Sequence, residues 1–186
     1  MTQPFIYIAF HKPYGIISQF SGDDPKETLA SFQFPKNVYP VGRLDKDSEG
    51  LLILSNDKKL VDQMLNPKNE KEKTYWVQVE NIPDNESLEI LRLGNIKIED
   101  YFTKPAKVKM IDPQILERNP PIRTRKTVPT CWLEMTITEG KNRQVRKMTA
   151  SINHPTLRLI RVAVGKLKLD ELPLGKWKEV KKQDLL

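Results

Sequence analysis

The chain has 186 residues, of which 38% are hydrophobic and 30% are charged, and its 31 Lys and Arg against 24 Asp and Glu give a formal net charge of +7. This length suffices for one domain with a proper core, and the composition argues against a disordered protein. The excess positive charge favours a polyanionic partner, nucleic acid before an anionic membrane.

Rare residue types and short apolar runs exclude several classes of protein. Cys131 is the only cysteine, which rules out an internal disulfide and suits a reducing cytoplasm. The two histidines, His11 and His154, cannot build a His/Cys zinc centre with that single thiol. The apolar run at residues 5–10 is too short to span a bilayer and lacks the basic flank of a signal peptide. We therefore expect a soluble, cytoplasmic protein that binds no metal and no membrane.

The first part of the chain alternates short strands with loops. Asn56 or Asp57 can cap a helix, because both side chains accept hydrogen bonds from the first turn. Alternation places Tyr75, Val77 and Val79 on one face of a strand. In chain order, the predicted elements are a strand at 5–10, a short helix near 27–31, strands at 38–41 and 51–54, a helix that ends near 65 and a strand at 74–79.

The second part contains two longer helices among further strands. One helix opens near Asp84, buries a stripe of Leu88, Leu91 and Leu93, and ends at Gly94. The other predicted elements are strands at 96–98, 106–111, 130–138 and 157–164, a proline-stiffened loop at 117–126, a helix at 142–152 and a short strand pair after 165.

Runs of strands with single helices inserted between them predict an α+β fold. The expected architecture is one mixed, largely antiparallel central sheet with flanking helices. Residues 1–186 are expected to form a single domain made of two subdomains that flank a central cleft, and a monomer is the simplest oligomeric state.

The most informative stretch is residues 42–55, where a polar loop runs directly into a buried strand. Asp45 lies between two predicted strands, a place where a rigid scaffold presents a reactive group. An ordinary hairpin turn is the alternative, because Gly, Asp and Ser are turn residues in any fold. A hydrolase that pairs Asp45 with Asp47 or Glu49 is a further alternative, although neighbouring loop residues rarely place two carboxyls across one bond.

The predicted helix at 142–152, which Asn142 can cap, has two unlike faces. Arg143, Arg146 and Lys147 fall at i, i+3 and i+4 and share one side. Arg146 borders the apolar side, from which a guanidinium can be directed at a carboxylate in a cleft. A solvated basic face is the alternative. The predicted buried side consists of Val145, Met148 and Ile152.

Positive charge is concentrated in two segments. Residues 141–161 carry six Lys and Arg and no acid, and residues 117–126 carry four Lys and Arg and one acid. Such segments repel each other in a compact fold unless a polyanion lies between them. Arginines with Tyr75, Trp76 and Trp132 suit the stacking of single-stranded bases, although Trp132 and Trp177 are expected to belong to the core.

Long motifs in a fixed order identify a family. GRLD at 42–45, SEGLL at 48–52, KTY at 73–75 and EGKNRQVRKM at 139–148 resemble the RsuA-like pseudouridine synthases, as do HKPYG at 11–15 and LRLIR at 157–161. The resemblance covers nearly the whole chain. No S4-like RNA-binding domain precedes the matching part, so RNA capture is expected from the catalytic domain itself.

The resemblance implies that uridine is isomerised to pseudouridine: the N1–C1′ bond breaks, the base turns, and C5 joins C1′. No cofactor is implied, because no electron or group is exchanged with another molecule. The catalytic carboxylate maps to Asp45, either as a nucleophile or as the base that removes the 2′ hydrogen. Arg146 maps to the cation beside it, Tyr75 to the ring that stacks on the base, and Val145 to the apolar wall.

The implied partner is large-subunit (23S-type) ribosomal RNA, at a uridine near the peptidyl-transferase region that must leave its stack. A non-catalytic RNA-binding or ribosome-assembly module, and a synthase for another ribosomal uridine, are the alternatives. Residues 118–126 are expected to choose the site, as the least general part of the match. The predicted RNA-binding residues are Lys12, Arg43, Lys73, Arg118, Arg123, Arg125, Lys126, Arg143, Lys147, Arg158 and Arg161.

Overall fold

The computed structural model of the chain describes residues 4–123, 125 and 127–186. The chain divides into two compact units, which we call the first unit and the second unit. The first unit comprises Met1–Lys71 with Arg161–Leu186, and the second unit comprises Glu72–Ile160.

The regular elements begin with a strand and end with a short helix. From the N-terminus they are β1 (Tyr7–Lys12), β2 (Tyr39–Pro40), β3 (Glu49–Ser55), α1 (Lys58–Leu65), β4 (Lys73–Glu80), α2 (Asn85–Leu93), β5 (Lys97–Ile98), β6 (Tyr101–Phe102) and β7 (Lys107–Ile111). They continue with β8 (Thr130–Ile137), α3 (Gln144–Ser151), β9 (Thr156–Val164), β10 (Leu167–Lys168), β11 (Trp177–Glu179) and α4 (Lys182–Leu185). Short 3-10 turns lie at Pro25–Glu27, Leu29–Phe32 and Pro67–Asn69.

In the first unit, β1 is hydrogen-bonded between β3 and β11, and both pairings are antiparallel. β2 pairs with the end of β3, at Leu54 and Ser55, and β10 pairs with the end of β9. Every residue of β3 is buried, which confirms the apolar strand predicted at 51–54 and extends it to Glu49. Phe10 of β1 packs against the rings of Phe32 and Phe34, with centroids 4.7 and 5.0 Å away. The core of this unit therefore forms around β1 and β3.

Asp57 ties together the start of α1, β1 and the C-terminal helix α4. Its carboxylate accepts the Lys59 and Leu60 N–H groups, which confirms a cap at the predicted place. It also accepts the Tyr7 hydroxyl at 2.9 Å and the Lys182 ammonium at 2.8 Å. Burial alone would raise the pKa of Asp57, but these hydrogen bonds from Lys182 and Tyr7 outweigh it and lower the pKa to about 2.

Replacing Asp57 with Ala is expected to lower the free energy of unfolding by about 2–4 kcal/mol, because the cap is lost and two donors lose their acceptor. Asp57→Asn is the matched control, since it keeps a capping oxygen but lacks the charge. Its free energy of unfolding should fall by less than that of Asp57→Ala. The measurement is urea denaturation at pH 7 and at lower pH.

Lowering the pH should reduce the difference in free energy of unfolding between the wild type and the Asp57 variants. The unfolded carboxyl has a pKa of 3.8 and the folded one a pKa of about 2, so this contribution is complete above about pH 4 and declines as the pH falls towards 2. An Asp57→Ala midpoint equal to that of the wild type at pH 7 would contradict the role of this carboxylate.

In the second unit, β8 lies between β4 and β7, again with antiparallel pairing. The predicted alternation of β4 is confirmed, since Tyr75, Val77 and Val79 are buried. The buried positions of β8 are Leu133, Met135 and Ile137, as predicted. Few helices and antiparallel pairings confirm the α+β fold class.

The predicted apolar stripe of α2 is wrong at one position. Leu88 and Leu91 are buried, whereas Leu93 is 70% exposed. At 100° per residue, Leu93 is rotated 200° from Leu91 and therefore lies away from the core. Gly94 ends the helix, as predicted.

The start of α3 also differs from the prediction. The helix begins at Gln144, and Arg143 precedes it with φ +51°, so Asn142 is not the cap. A residue with positive φ cannot continue a right-handed helix, which places Arg143 outside the face that it was predicted to share with Arg146 and Lys147. The predicted buried side is confirmed: Val145, Met148 and Ile152 have little exposed surface.

The C-terminal tail contains a wrong prediction and an unpredicted element. The two short strands after residue 165 do not pair with each other, because β10 pairs with β9 and β11 pairs with β1. Helix α4 was not predicted, and neither was β6, which pairs with β5. In the described part of the chain, no helix has the length and the apolar character that crossing a bilayer requires.

Candidate active site

Asp45 lies in the loop between β2 and β3, where residues 41–48 form neither helix nor strand. This confirms that two sheet elements flank the loop. Asp45 is half-buried, Leu44 before it is buried, and Arg43 is exposed. The Asp45 carbonyl accepts the Ser48 N–H at 3.0 Å, which closes a tight turn after the carboxylate. The loop thus presents Asp45 from a defined backbone.

Lys12, at the end of β1, is a fully buried lysine in the same unit as Asp45. Its ammonium group donates to the carbonyls of Pro13 at 2.9 Å and Ile16 at 2.7 Å. Burial lowers the pKa of Lys12 to about 7, against the opposing attraction of carboxylates that include Glu49 and Asp45. Lys12 was predicted to bind RNA. A fully buried amine offers no surface to a phosphate, so we leave Lys12 out of the proposed RNA contacts.

Arg158 and Arg161, predicted as RNA contacts, are also buried, at 8% and 6% exposure. In the first unit, Arg161 donates through Nε to the Leu51 carbonyl at 2.8 Å. In the second unit, Arg158 donates to the Leu116 carbonyl at 2.8 Å, and its guanidinium lies 6.0 Å from the centre of the Trp132 ring. The described partners of these two arginines are main-chain carbonyls and a ring, and their contact with RNA stays a prediction.

Helix α3 of the second unit carries the predicted catalytic arginine. Arg146 is half-buried, and one of its terminal nitrogens lies 3.5 Å from the Thr156 carbonyl. Val145 beside it is buried. Lys147 is half-buried and forms an ion pair with Glu99 at 2.5 Å, and Arg143 is exposed. Arg143, which directly precedes the helix, is therefore more exposed to solvent than Arg146 or Lys147.

Tyr75 on β4 is 8% exposed, and Lys73 at the start of that strand is half-buried. Trp132 and Trp177, which were predicted to belong to the core, are only half-buried, so that prediction is wrong. The Trp177 indole N–H donates to the Phe32 carbonyl at 3.1 Å in a part-buried hydrogen bond.

The predicted basic loop joins β7 to β8, and the described residues between Asp112 and Pro129 form no helix or strand. Arg118 is half-buried and donates through Nε to the Pro120 carbonyl at 2.8 Å. Arg123 and Arg125 are exposed, and Arg125 lies 3.8 Å from the Glu80 carboxylate. Lys126 lies outside the described residues.

Comparison with known proteins places the chain in a family. The sequence profile of the RNA pseudouridylate synthases matches residues 6–151. Ribosomal large subunit pseudouridine synthase E of Xanthomonas axonopodis pv. citri is 53% identical over 169 residues, which cover 89% of this chain and 88% of that protein. The protein of the same name from Vibrio parahaemolyticus is 52% identical, over 93% of this chain and 73% of its own.

The chain belongs to the RNA pseudouridine synthase family. A crystal structure of a pseudouridylate synthase matches its fold with a TM-score of 0.78 at 27% identity, over 99% of this chain and 74% of the other. The predicted membership of the RsuA-like synthases is therefore confirmed, and the protein is an RNA-modifying isomerase.

Within this synthase, the predicted site residues fall into three classes of exposure. Arg43, Arg123, Arg125 and Arg143 are exposed; Lys73, Arg118, Arg146 and Lys147 are half-buried; Lys12, Arg158 and Arg161 are buried. Asp45 belongs to the first unit, and Tyr75, Val145 and Arg146 belong to the second. Their joint action on one uridine stays a prediction.

Sequence reasoning missed Ser18 of this synthase, a buried residue whose hydroxyl bonds to the main chain of Leu44, next to Asp45. A serine in an irregular stretch belongs to no periodic pattern, so only its short spacing from the HKPYG motif was available as a signal. Among the described residues, no group of three or more His, Cys, Asp or Glu side chains is arranged to hold a metal ion.

Proposed function

We propose that this synthase converts a uridine of large-subunit ribosomal RNA to pseudouridine, with Asp45 as the catalytic carboxylate. The observation that carries the proposal is the 53% identity, over about nine-tenths of both chains, to a relative named ribosomal large subunit pseudouridine synthase E. The motif around Asp45 supports the choice of carboxylate, because it carries the family resemblance and lies on a loop held between two strands.

The proposed reaction needs a charged carboxylate and a uracil ring that is held in place. Asp45 acts as the nucleophile or as the base, the glycosidic N1–C1′ bond breaks, and C5 bonds to C1′ after the base turns. The C5 proton then leaves to solvent and N1 takes up a proton from solvent, so atoms and charge balance without a co-reactant. The resemblance gives Tyr75 the role of stacking on the uracil, Val145 that of the apolar wall, and Arg146 that of the cation that keeps the carboxylate charged.

We assign RNA recognition to the loop between β7 and β8, together with the exposed Arg43 and Arg143. Two features support the role of the loop. Its guanidinium groups at Arg123 and Arg125 are exposed, and its backbone is held at Leu116 by buried Arg158. Arginines on a stiffened loop lose less conformational entropy on binding phosphate than arginines on a flexible one. The loop is therefore suited to choose one site among many.

Replacing Arg123 and Arg125 together with Gln is expected to weaken binding to the ribosomal RNA about 10- to 100-fold and to reduce the salt slope of binding by about 2, because two phosphate contacts are lost. The measurement is filter binding of RNA at several salt concentrations. Lys166 and Lys168, exposed cations of the first unit, are the matched control when both are changed to Gln. Equal losses of RNA affinity in the two double variants would mean that only net charge matters. They would refute the role of the loop between β7 and β8 in RNA recognition.

The direct test of the proposed function is tritium release from RNA labelled at uridine C5. We expect release from large-subunit ribosomal RNA well above the release from small-subunit RNA. Binding of RNA without any release would show a non-catalytic RNA-binding or assembly module. Release from small-subunit RNA alone would keep the activity and overturn the proposed substrate.

A further inference from the structure

The backbone on both sides of Asp45 is held by a second segment of the first unit, residues 15–18. The Ser18 hydroxyl donates to the Leu44 carbonyl at 2.7 Å and accepts the Leu44 N–H at 3.0 Å. On the other side of Asp45, the Lys46 carbonyl accepts the Gly15 N–H at 2.8 Å. Because residues 41–48 form no strand, the flanks of Asp45 depend on these bonds instead of a sheet ladder.

Ser18 makes the closest of these contacts to the carboxylate. The Leu44 carbonyl belongs to the peptide group that joins Leu44 to Asp45, so the hydroxyl holds the plane from which the Asp45 side chain departs. Ser18 is 7% exposed and Leu44 is 6% exposed, which leaves little access for a water to replace the hydroxyl. Only a group that both donates and accepts satisfies the two Leu44 peptide groups at once.

The segment that carries Ser18 is itself held by further hydrogen bonds. Lys12 donates to the Pro13 and Ile16 carbonyls, and the Ile17 N–H donates to the Glu27 carbonyl at 2.8 Å. A run of hydrogen bonds therefore connects the end of β1, through this turn, to the peptide group beside Asp45. Residues 12–18 along this run are buried or half-buried, as a fixed support requires.

We propose that Ser18 is a positioning residue for catalysis: its hydroxyl fixes the main chain at Leu44 and thereby the direction of the Asp45 carboxylate. The proposal rests on the proposed catalytic role of Asp45. Ser18 itself touches neither the uridine nor the reacting atoms, and its effect on the rate passes through the backbone.

Ser18→Ala is expected to lower kcat about 10- to 100-fold, because a misplacement of a reacting group by about 1 Å has an effect of that size. The KM for RNA is expected to stay within about threefold, since the exposed arginines that bind phosphate are unchanged. Ser18→Thr retains a hydroxyl and should recover most of the lost kcat. The measurement is tritium release under multiple-turnover conditions over a range of RNA concentrations, which gives kcat and KM.

Two further variants separate positioning from general stability. Ser31→Ala removes another serine of the first unit, whose hydroxyl donates to the Thr28 carbonyl at 2.9 Å, and should leave kcat unchanged. Ser18→Cys keeps the size of the side chain but replaces a strong donor with a weak one, so it provides a second test where Ser18→Ala folds poorly. We expect Ser18→Cys to lose kcat as well, at a denaturation midpoint near that of the wild type.

The outcomes distinguish this inference from the proposed function. Wild-type kcat in Ser18→Cys and Ser18→Ala, alongside an inactive Asp45→Asn, would overturn the role of Ser18 and keep that of Asp45. A loss confined to RNA affinity would overturn it equally. Full activity of Asp45→Asn would instead remove the proposed function on which the inference rests.

Discussion

Asp45→Asn is expected to reduce pseudouridine formation at least about 1,000-fold, because the amide is neither a competent nucleophile nor a base. The two side chains have nearly the same shape, and the half-buried position of Asp45 accepts either without a change of volume. Affinity for RNA and the denaturation midpoint should therefore stay close to those of the wild type. Tritium release in single-turnover reactions measures the loss, and filter binding checks the affinity.

Asp47→Asn is the matched control for this experiment. Asp47 is a half-buried acid of the same loop, two residues further on, and the proposed chemistry gives it no part. Its variant should stay within about threefold of the wild-type rate, as expected of a change outside the reacting groups. Equal losses at both positions would favour a paired-carboxylate mechanism, and equal release by wild type and Asp45→Asn would remove the assignment of Asp45.

Gly50→Ala is expected to destabilise the protein by about 3 kcal/mol or more, because two independent penalties add. Gly50 has φ +106°, a backbone conformation that side chains disfavour. A Cβ at this position would also lie 2.3 Å from the Arg161 carbonyl oxygen and 2.6 Å from the Arg161 nitrogen. These are backbone atoms of the same unit, so no side-chain rotation relieves the overlap.

Two other glycines provide controls for the two penalties. Gly15 has φ +82°, and a Cβ added there would meet no described atom within 4 Å, so Gly15→Ala isolates the backbone strain, about 1–2 kcal/mol. Gly140 has an ordinary φ, and its nearest neighbour is the end of the Lys73 side chain at 3.8 Å, so Gly140→Ala should change stability by less than about 0.5 kcal/mol. Urea denaturation of the three variants gives the order of their stabilities. A loss of stability in Gly50→Ala no larger than that in Gly15→Ala would contradict the close approach of Gly50 to the Arg161 backbone.

The elements with strong local patterns were predictable from sequence. The apolar run of β3 and the alternation in β4 and β8 follow from burial on one or both faces of a strand, which depends on near neighbours in the chain. The start of α3 was not predictable in this way. Gln144 accepts the Lys141 N–H and donates to Glu139, two residues that precede the helix, and Arg143 at the N-cap position makes no capping side-chain hydrogen bond.

The sequence motifs indicate which residues are candidates for the site, but they do not predict how deeply each side chain is buried. A count of positive charges placed Arg158 and Arg161 on an RNA surface, but each guanidinium reaches a main-chain carbonyl and can be buried. Ser18, by contrast, was not predicted as a site residue at all. Its partner Leu44 lies 26 residues away, and no short-range pattern encodes such a contact. Charge and motif spacing therefore support a hypothesis about the chemistry, and tertiary contacts decide which side chains are available for it.

The measurement that tests the account most directly is the mapping of pseudouridine in ribosomal RNA from cells that lack this protein, complemented with wild type or with Asp45→Asn. We expect a pseudouridine of the large-subunit RNA to disappear in the deletion strain, to return with the wild type, and to stay absent with Asp45→Asn at equal protein levels. Unchanged modification in the deletion strain, or full restoration by Asp45→Asn, would contradict it.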